Sequence, residues 1–198
     1  MWSLYRRPWF DVLDRLHYRL YRQTSRQADR RMPEIVAVLS EKGGSGKTTI
    51  SVNLASALDN TLLVDTDPQK SAVGWSDLRE GGPTVVHVGK TSIRDVRRLA
   101  SSYDYVVIDG APRLTEVMEE AIQVSDLVVI PTQPSAMDIW SSEPVVELCK
   151  RHETRAVFCI SRGLVGSTLT GSAREALESF DLPVLSGTRQ RVSYDRSL

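Results

Sequence analysis

The most chemically legible stretch of this 198-residue chain is VAVLSEKGGSGKTTISVNLA, residues 36–55. Its second half fits the phosphate-loop spacing G-x-x-x-x-G-K-[ST], with Glu41 where the first glycine belongs and a second lysine, Lys42, directly after it. Gly43, Gly44 and Gly46 carry no Cβ, so backbone N–H groups can converge on phosphate oxygens. Ser45 and Thr49 belong to the same nucleotide-holding loop. Lys47 is expected to reach the β- and γ-phosphates, and the Thr48 hydroxyl to ligate Mg²⁺. The loop follows an apolar run and opens a helix-forming one, which is the context phosphate binding needs. One lysine suffices for that chemistry, so the spacing leaves Lys42 unexplained.

KGGSGKTT resembles the deviant Walker A motif, KGGxGKT, of the ParA/MinD ATPases. In that family the early lysine crosses the interface of a nucleotide-sandwich dimer. The resemblance implies that Lys42 touches the phosphates of a partner copy and that the chain forms a homodimer with ATP. LLVDTDPQKSAVGW (62–75) resembles the family's second motif. By that likeness Asp65 supports Mg²⁺ through water, Asp67 orients the attacking water, and Pro68 and Gln69 begin a switch. DYVVIDGAPRL (104–114) looks like Walker B, with Asp109 as a magnesium partner and Gly110, Ala111 and Pro112 as a second switch. Lys42, Lys47 and Asp67 are then the catalytic candidates, and no strong base is evident. Slow intrinsic hydrolysis, raised by a partner, is expected. VSDLVVIPTQPSAMDIWSS (124–142) and GTRQRVSY (187–194) are similar to the small ParF-like plasmid partition branch. The resemblance covers about residues 34–196. It further implies adenine contacts from among Ser161, Arg162, Pro183 and Thr188. Nonspecific DNA binding would come from Arg189, Arg191 and Arg196, with a ParB/ParG-like adaptor as partner. The function it implies is slow ATP hydrolysis that segregates plasmid or chromosomal DNA in the cytoplasm, on the nucleoid. Positioning of another cellular cargo, or a metabolic ATP-dependent enzyme on the same fold, are the alternatives.

Residues so dispersed in sequence need a scaffold that gathers them. Apolar β-rich runs occur at 35–39, 61–65, 84–88, 105–109, 127–131, 156–160 and 183–185. Several are apolar on both faces, as a parallel sheet covered by helices requires. Helical patterns lie between them at about 47–58, 71–80, 92–102, 113–124, 135–151 and 170–180. The alternation predicts an α/β, doubly wound, mostly parallel sheet with helices on both faces, a P-loop NTPase of the deviant Walker A type. Ligands of such sheets sit beyond the carboxyl ends of the strands, and each motif above follows a strand.

Net charge is zero but uneven. Residues 1–33 hold eight arginines and three aspartates, a net +5, which leaves −5 on the remainder. Residues 1–31 read as a basic amphipathic arm ahead of an ATPase domain at 32–198. Three roles stay open for it: docking on the body or a partner, binding DNA phosphates, or lying on an anionic membrane through Trp2, Trp9 and Phe10. Met32 is a possible second start, and the chain stops before the closing helix that relatives usually have. The two cysteines, Cys149 and Cys159, lack metal-ligand spacing and read as buried free thiols.

Overall fold

The computed structural model describes residues 32–89, 93–163, 168–185 and 188. The arm at 1–31 and the arginines Arg189, Arg191 and Arg196 lie outside the described residues. Seven strands follow in chain order: β1 (Glu34–Val38), β2 (Thr61–Asp65), β3 (Thr84–His87), β4 (Tyr105–Asp109), β5 (Leu127–Thr132), β6 (Ala156–Ile160) and β7 (Val184–Leu185). They form one sheet in the order β3-β2-β4-β1-β5-β6-β7, and every pairing is parallel. The helices are α1 (Lys47–Ala57), α2 (Ser71–Asp77), α3 (Val96–Leu99), α4 (Glu116–Val124), α5 (Ala136–Trp140), α6 (Glu143–Arg151) and α7 (Thr168–Glu178). A 3₁₀ turn, Ile93–Asp95, leads into α3. Among the described residues no helix is long and apolar enough to cross a membrane.

Strand periodicity sorts the core. Ile35, Ala37 and Leu39 point into one apolar cluster with Ile108, Ile122, Ile130 and Phe158. Val36 and Val38 point into the other, with Ile50, Leu54, Leu63 and Val129. A strand buried on both faces has no polar positions to spare, which is why the sequence shows continuous apolar runs instead of alternation.

Two helices differ from the expected spans, each for a local reason. The run 135–151 is broken into α5 and α6. Pro144 has no N–H to donate and its ring would clash with the carbonyl four residues earlier, so it sits in the first turn of a new helix. The run 113–124 starts late, because the Thr115 hydroxyl caps the Met118 N–H and sets the boundary of α4.

Closest approach occurs at Gly110, just beyond β4. Its N–H donates to the Val38 carbonyl at 3.1 Å. A Cβ built there would lie 2.4 Å from Leu39 Cδ2 and 3.1 Å from the Val38 oxygen. We predict that Gly110→Ala lowers unfolding free energy by about 1–3 kcal/mol, the usual range for forcing carbon into a packed site. Urea denaturation of the two chains checks this, and equal midpoints would refute it.

Candidate functional site

The loop between β1 and α1 ends at Gly46, which takes φ 94° and serves as the N-cap without any side-chain cap. The first turn of α1 holds no acidic residue. Its N–H groups therefore have no side-chain acceptor and face outward as an anion site, with the helix dipole adding to the attraction. Gly44 is also left-handed, at φ 72°, and its carbonyl accepts from Gln133 Nε2 at 2.9 Å. Gly43 has open space around its Cα. Thr49, the third residue of the helix, is exposed. The Ser45 and Ser161 hydroxyl oxygens are buried without a partner, and Ser161 sits 3.5 Å from where a Gly46 Cβ would be. The end of β6 is thus pressed against the loop.

Lys47 is buried, with 7% of its surface exposed, and its Nζ donates to the Lys42 carbonyl at 3.0 Å. Burial pulls its pKa down, while the charges of Asp109 and Asp67 pull it back up. Both carboxylates are near enough for the ammonium to feel their charge. Asp109 closes β4, and its Oδ1 accepts from Ser51 Oγ at 2.9 Å. Thr48 also bonds this carboxyl. Desolvation pushes the Asp109 pKa up to about 6 against those two hydrogen bonds. Its Oδ2 is buried with no partner. An orphaned carboxylate oxygen next to a hydroxyl fits a hard, hydrated cation such as Mg²⁺. Among the described residues no cluster of three or more His, Cys, Asp or Glu could hold a metal alone. A cation here would share its ligands with a bound phosphate.

Asp65, expected near the metal, lies opposite Asp109 in the ladder and also holds the chain that follows it. Its Oδ1 accepts the Asp67 N–H at 3.0 Å, and its Oδ2 accepts those of Ala72 and Val73 at 2.9 and 3.3 Å. Helix α2 needs this, because its own N-cap is Lys70 in a left-handed conformation with no capping side chain. Asp65 thereby fixes the loop that carries Asp67.

Lys42 is half-exposed, and its Nζ lies 3.0 Å from Asp138 Oδ2 on the same chain. Asp138 also touches the Ser135 hydroxyl, and its Oδ1 is buried without a partner. Sequence reasoning passed over Asp138, Gln133, Ser51 and Thr66. The S-x-x-D spacing of Ser135 and Asp138 signals a helix start, which it is, yet the acid also turns inward to meet Lys42. Ser51 gave no signal beyond its place one turn after Lys47.

Of the adenine candidates, Arg162 and Thr188 come together. The Arg162 N–H donates to the Thr188 hydroxyl at 3.2 Å, beyond the ends of β6 and β7. Pro183 does not join them. It precedes β7, and its carbonyl pairs with the Phe158 N–H inside the sheet. Cys149 and Cys159 are free and buried, with both thiols pushed up to about 12, so neither supplies a thiolate.

The family pattern described as the CobQ/CobB/MinD/ParA nucleotide binding domain matches residues 36–133. The chain is 38% identical over 113 residues to a Gloeobacter kilaueensis protein named maintenance of carboxysome distribution protein A. That match takes in 54% of this chain and about half, 52%, of the relative. A Halothiobacillus neapolitanus protein of the same name is 28% identical over 174 residues, covering 80% of this chain and 81% of its own length. An ATP complex of a Cyanothece McdA variant superposes with a TM-score of 0.69 at 17% identity, over 83% of this chain and 86% of that one. At that identity it speaks for the fold alone.

The raised Asp109 pKa makes a prediction without ligand. A carboxyl whose folded pKa exceeds its unfolded value costs stability as pH rises from 3.8 through about 6. Asp109→Asn should therefore stabilise the ligand-free chain at pH 8 by roughly 1–3 kcal/mol, with the gain fading below pH ~4. Denaturant melts at both pH values decide it, and a gain that is the same at both would count against the assignment.

Proposed function

Because the chain belongs to the CobQ/CobB/MinD/ParA nucleotide-binding family, we propose that it is a ParA-type ATPase that dimerises with ATP and positions a large cellular cargo through an adaptor protein. One observation carries this reading: the uncapped N-terminus of α1 begins with a buried Lys47, Asp109 is tied to the same helix through Ser51, and Lys42 stands at the rim. The backbone N–H groups of residues 43–48 and the Lys47 ammonium would hold the phosphates. Thr48 and Asp109 would hold Mg²⁺, which would neutralise the charge that develops on the phosphoryl group. Asp67 would orient the attacking water opposite the leaving group and remove no proton early, so turnover would be slow until a partner assists. The Cyanothece neighbour was solved with ATP, which supports ATP as the nucleotide here.

Lys42 reaches a partner copy's phosphates only after leaving Asp138. Dimerisation then requires exchange of one ion pair for another. The cargo we favour is a protein-bounded body, supported by the names of the two relatives. Plasmid or chromosomal DNA is the second reading, supported by ParA in the family description. In either case DNA serves as a nonspecific track, held by Arg189, Arg191 and Arg196, and the protein works in the cytoplasm on the nucleoid.

Two substitutions test the reading. With ATP and Mg²⁺, Lys42→Ala should stay monomeric by light scattering while binding nucleotide as the parent does. Asp67→Ala should bind ATP and accumulate as dimer, with turnover down by about tenfold or more. Normal dimerisation of the first, or unchanged turnover of the second, removes the respective role.

A further inference from the structure

Thr66 stands between Asp65 and Asp67, and its side chain is buried. The parallel ladder of β2 and β4 ends at the pair Asp65 and Asp109, so residue 66 is the first beyond it. Its N–H donates to the Asp109 carbonyl at 3.0 Å. Its hydroxyl donates to the same carbonyl at 2.9 Å and accepts the Ala111 N–H at 3.3 Å. One side chain therefore joins the loop of Asp67 to the loop 110–113.

Loop 110–113 is in turn fastened to the phosphate loop. Gly110 donates to Val38, and the Arg113 N–H donates to the Glu41 carbonyl at 2.9 Å. Arg113 holds φ 84°, a conformation that L side chains rarely adopt, so the contact is kept against local strain. On the other side, Asp67 is built into a tight turn. Its Oδ1 accepts from the Gln69 N–H at 2.9 Å and its carbonyl from the Lys70 N–H at 2.9 Å. Asp65 fixes that turn from below. Thr66 fixes it from the side, through its hydrogen bonds to the Asp109 carbonyl and the Ala111 N–H.

We propose that Thr66 is a positioning residue for hydrolysis, its hydroxyl setting the place of Asp67 relative to Asp109 and the phosphate loop. The proposal rests on the ATPase reading above. A bridge whose two hydrogen bonds both go to main-chain groups of the neighbouring loop should act on rate and leave affinity alone. Misplacing a water-orienting group by a fraction of an ångström to 1 Å costs on the order of 10–100-fold in rate.

The experiment uses the full chain and the variants Thr66→Val, Thr66→Ser and Thr66→Ala. ATP turnover is measured with saturating Mg²⁺, nucleotide affinity with a fluorescent non-hydrolysable ATP analogue, and folding by thermal melt. The expected result is a fall in kcat of about tenfold or more for Thr66→Val and Thr66→Ala, with affinity within about twofold of the parent. Thr66→Ser should keep kcat within about threefold. Serine and alanine both lack the methyl group, so their contrast reports the hydroxyl even if the valine variant fails to fold. Equal turnover of the serine and alanine variants would overturn the proposal. So would a loss of affinity that parallels the loss of rate. A parent chain that binds the analogue yet never turns over ATP would instead bring down the ATPase reading, and the Thr66 role with it.

Discussion

At the start of Lys47–Ala57 the chain presents backbone N–H groups to a space that no side chain of its own fills. That shortage of acceptors orders everything around it. An ammonium, Lys47, is buried beside it, and a carboxyl, Asp109, is buried a short way off with one oxygen unmatched. Neither charge is comfortable out of water, and each shifts in pKa accordingly. The resting chain settles for makeshift partners. Lys47 leans on a carbonyl of its own loop, and Lys42 on Asp138. A triphosphate with a divalent cation would offer acceptors to those donors and a partner to the orphaned oxygen together.

The sheet makes this arrangement possible through register. β1 pairs with β4 and β5, and β4 with β2, so three successive loops emerge side by side. Their contacts are largely main-chain, from Val38 and Glu41 to Gly110 and Arg113. Contacts of that kind depend little on side-chain identity. The fold can accordingly be shared with a neighbour at 17% identity while the glycine at position 110 tolerates no substitute without a shift.

Much of this was legible in the residues. Five-residue runs such as TLLVD and YVVID could be read as strands because burial on both faces forces apolar positions throughout. Gly43, Gly44, Gly46 and Lys47 announced phosphate chemistry because few other arrangements need them. What stayed hidden were contacts between segments distant in sequence. Asp65 reads as supporting a metal through water; what stayed hidden is that its carboxylate also caps α2, which has no capping side chain of its own. Asp138 drew no reading at all, yet it is the partner of Lys42. Pro183 reads as part of a strand at 183–185, yet it stands ahead of β7, at the end away from Arg162 and Thr188. Pro144, which divides one expected helix into two, carried its signal openly.

Three strands lie on each side of β1. The strand that carries the phosphate loop is therefore the innermost of seven, while the outermost pair, Thr84–His87 and Val184–Leu185, are short and partly exposed. Fraying begins at such margins, and main-chain amides there exchange with solvent long before those at the centre. A molecule built this way can trade lysine partners at its rim through many rounds without loosening its middle. Its wear, such as it is, falls on the two borders farthest from the chemistry.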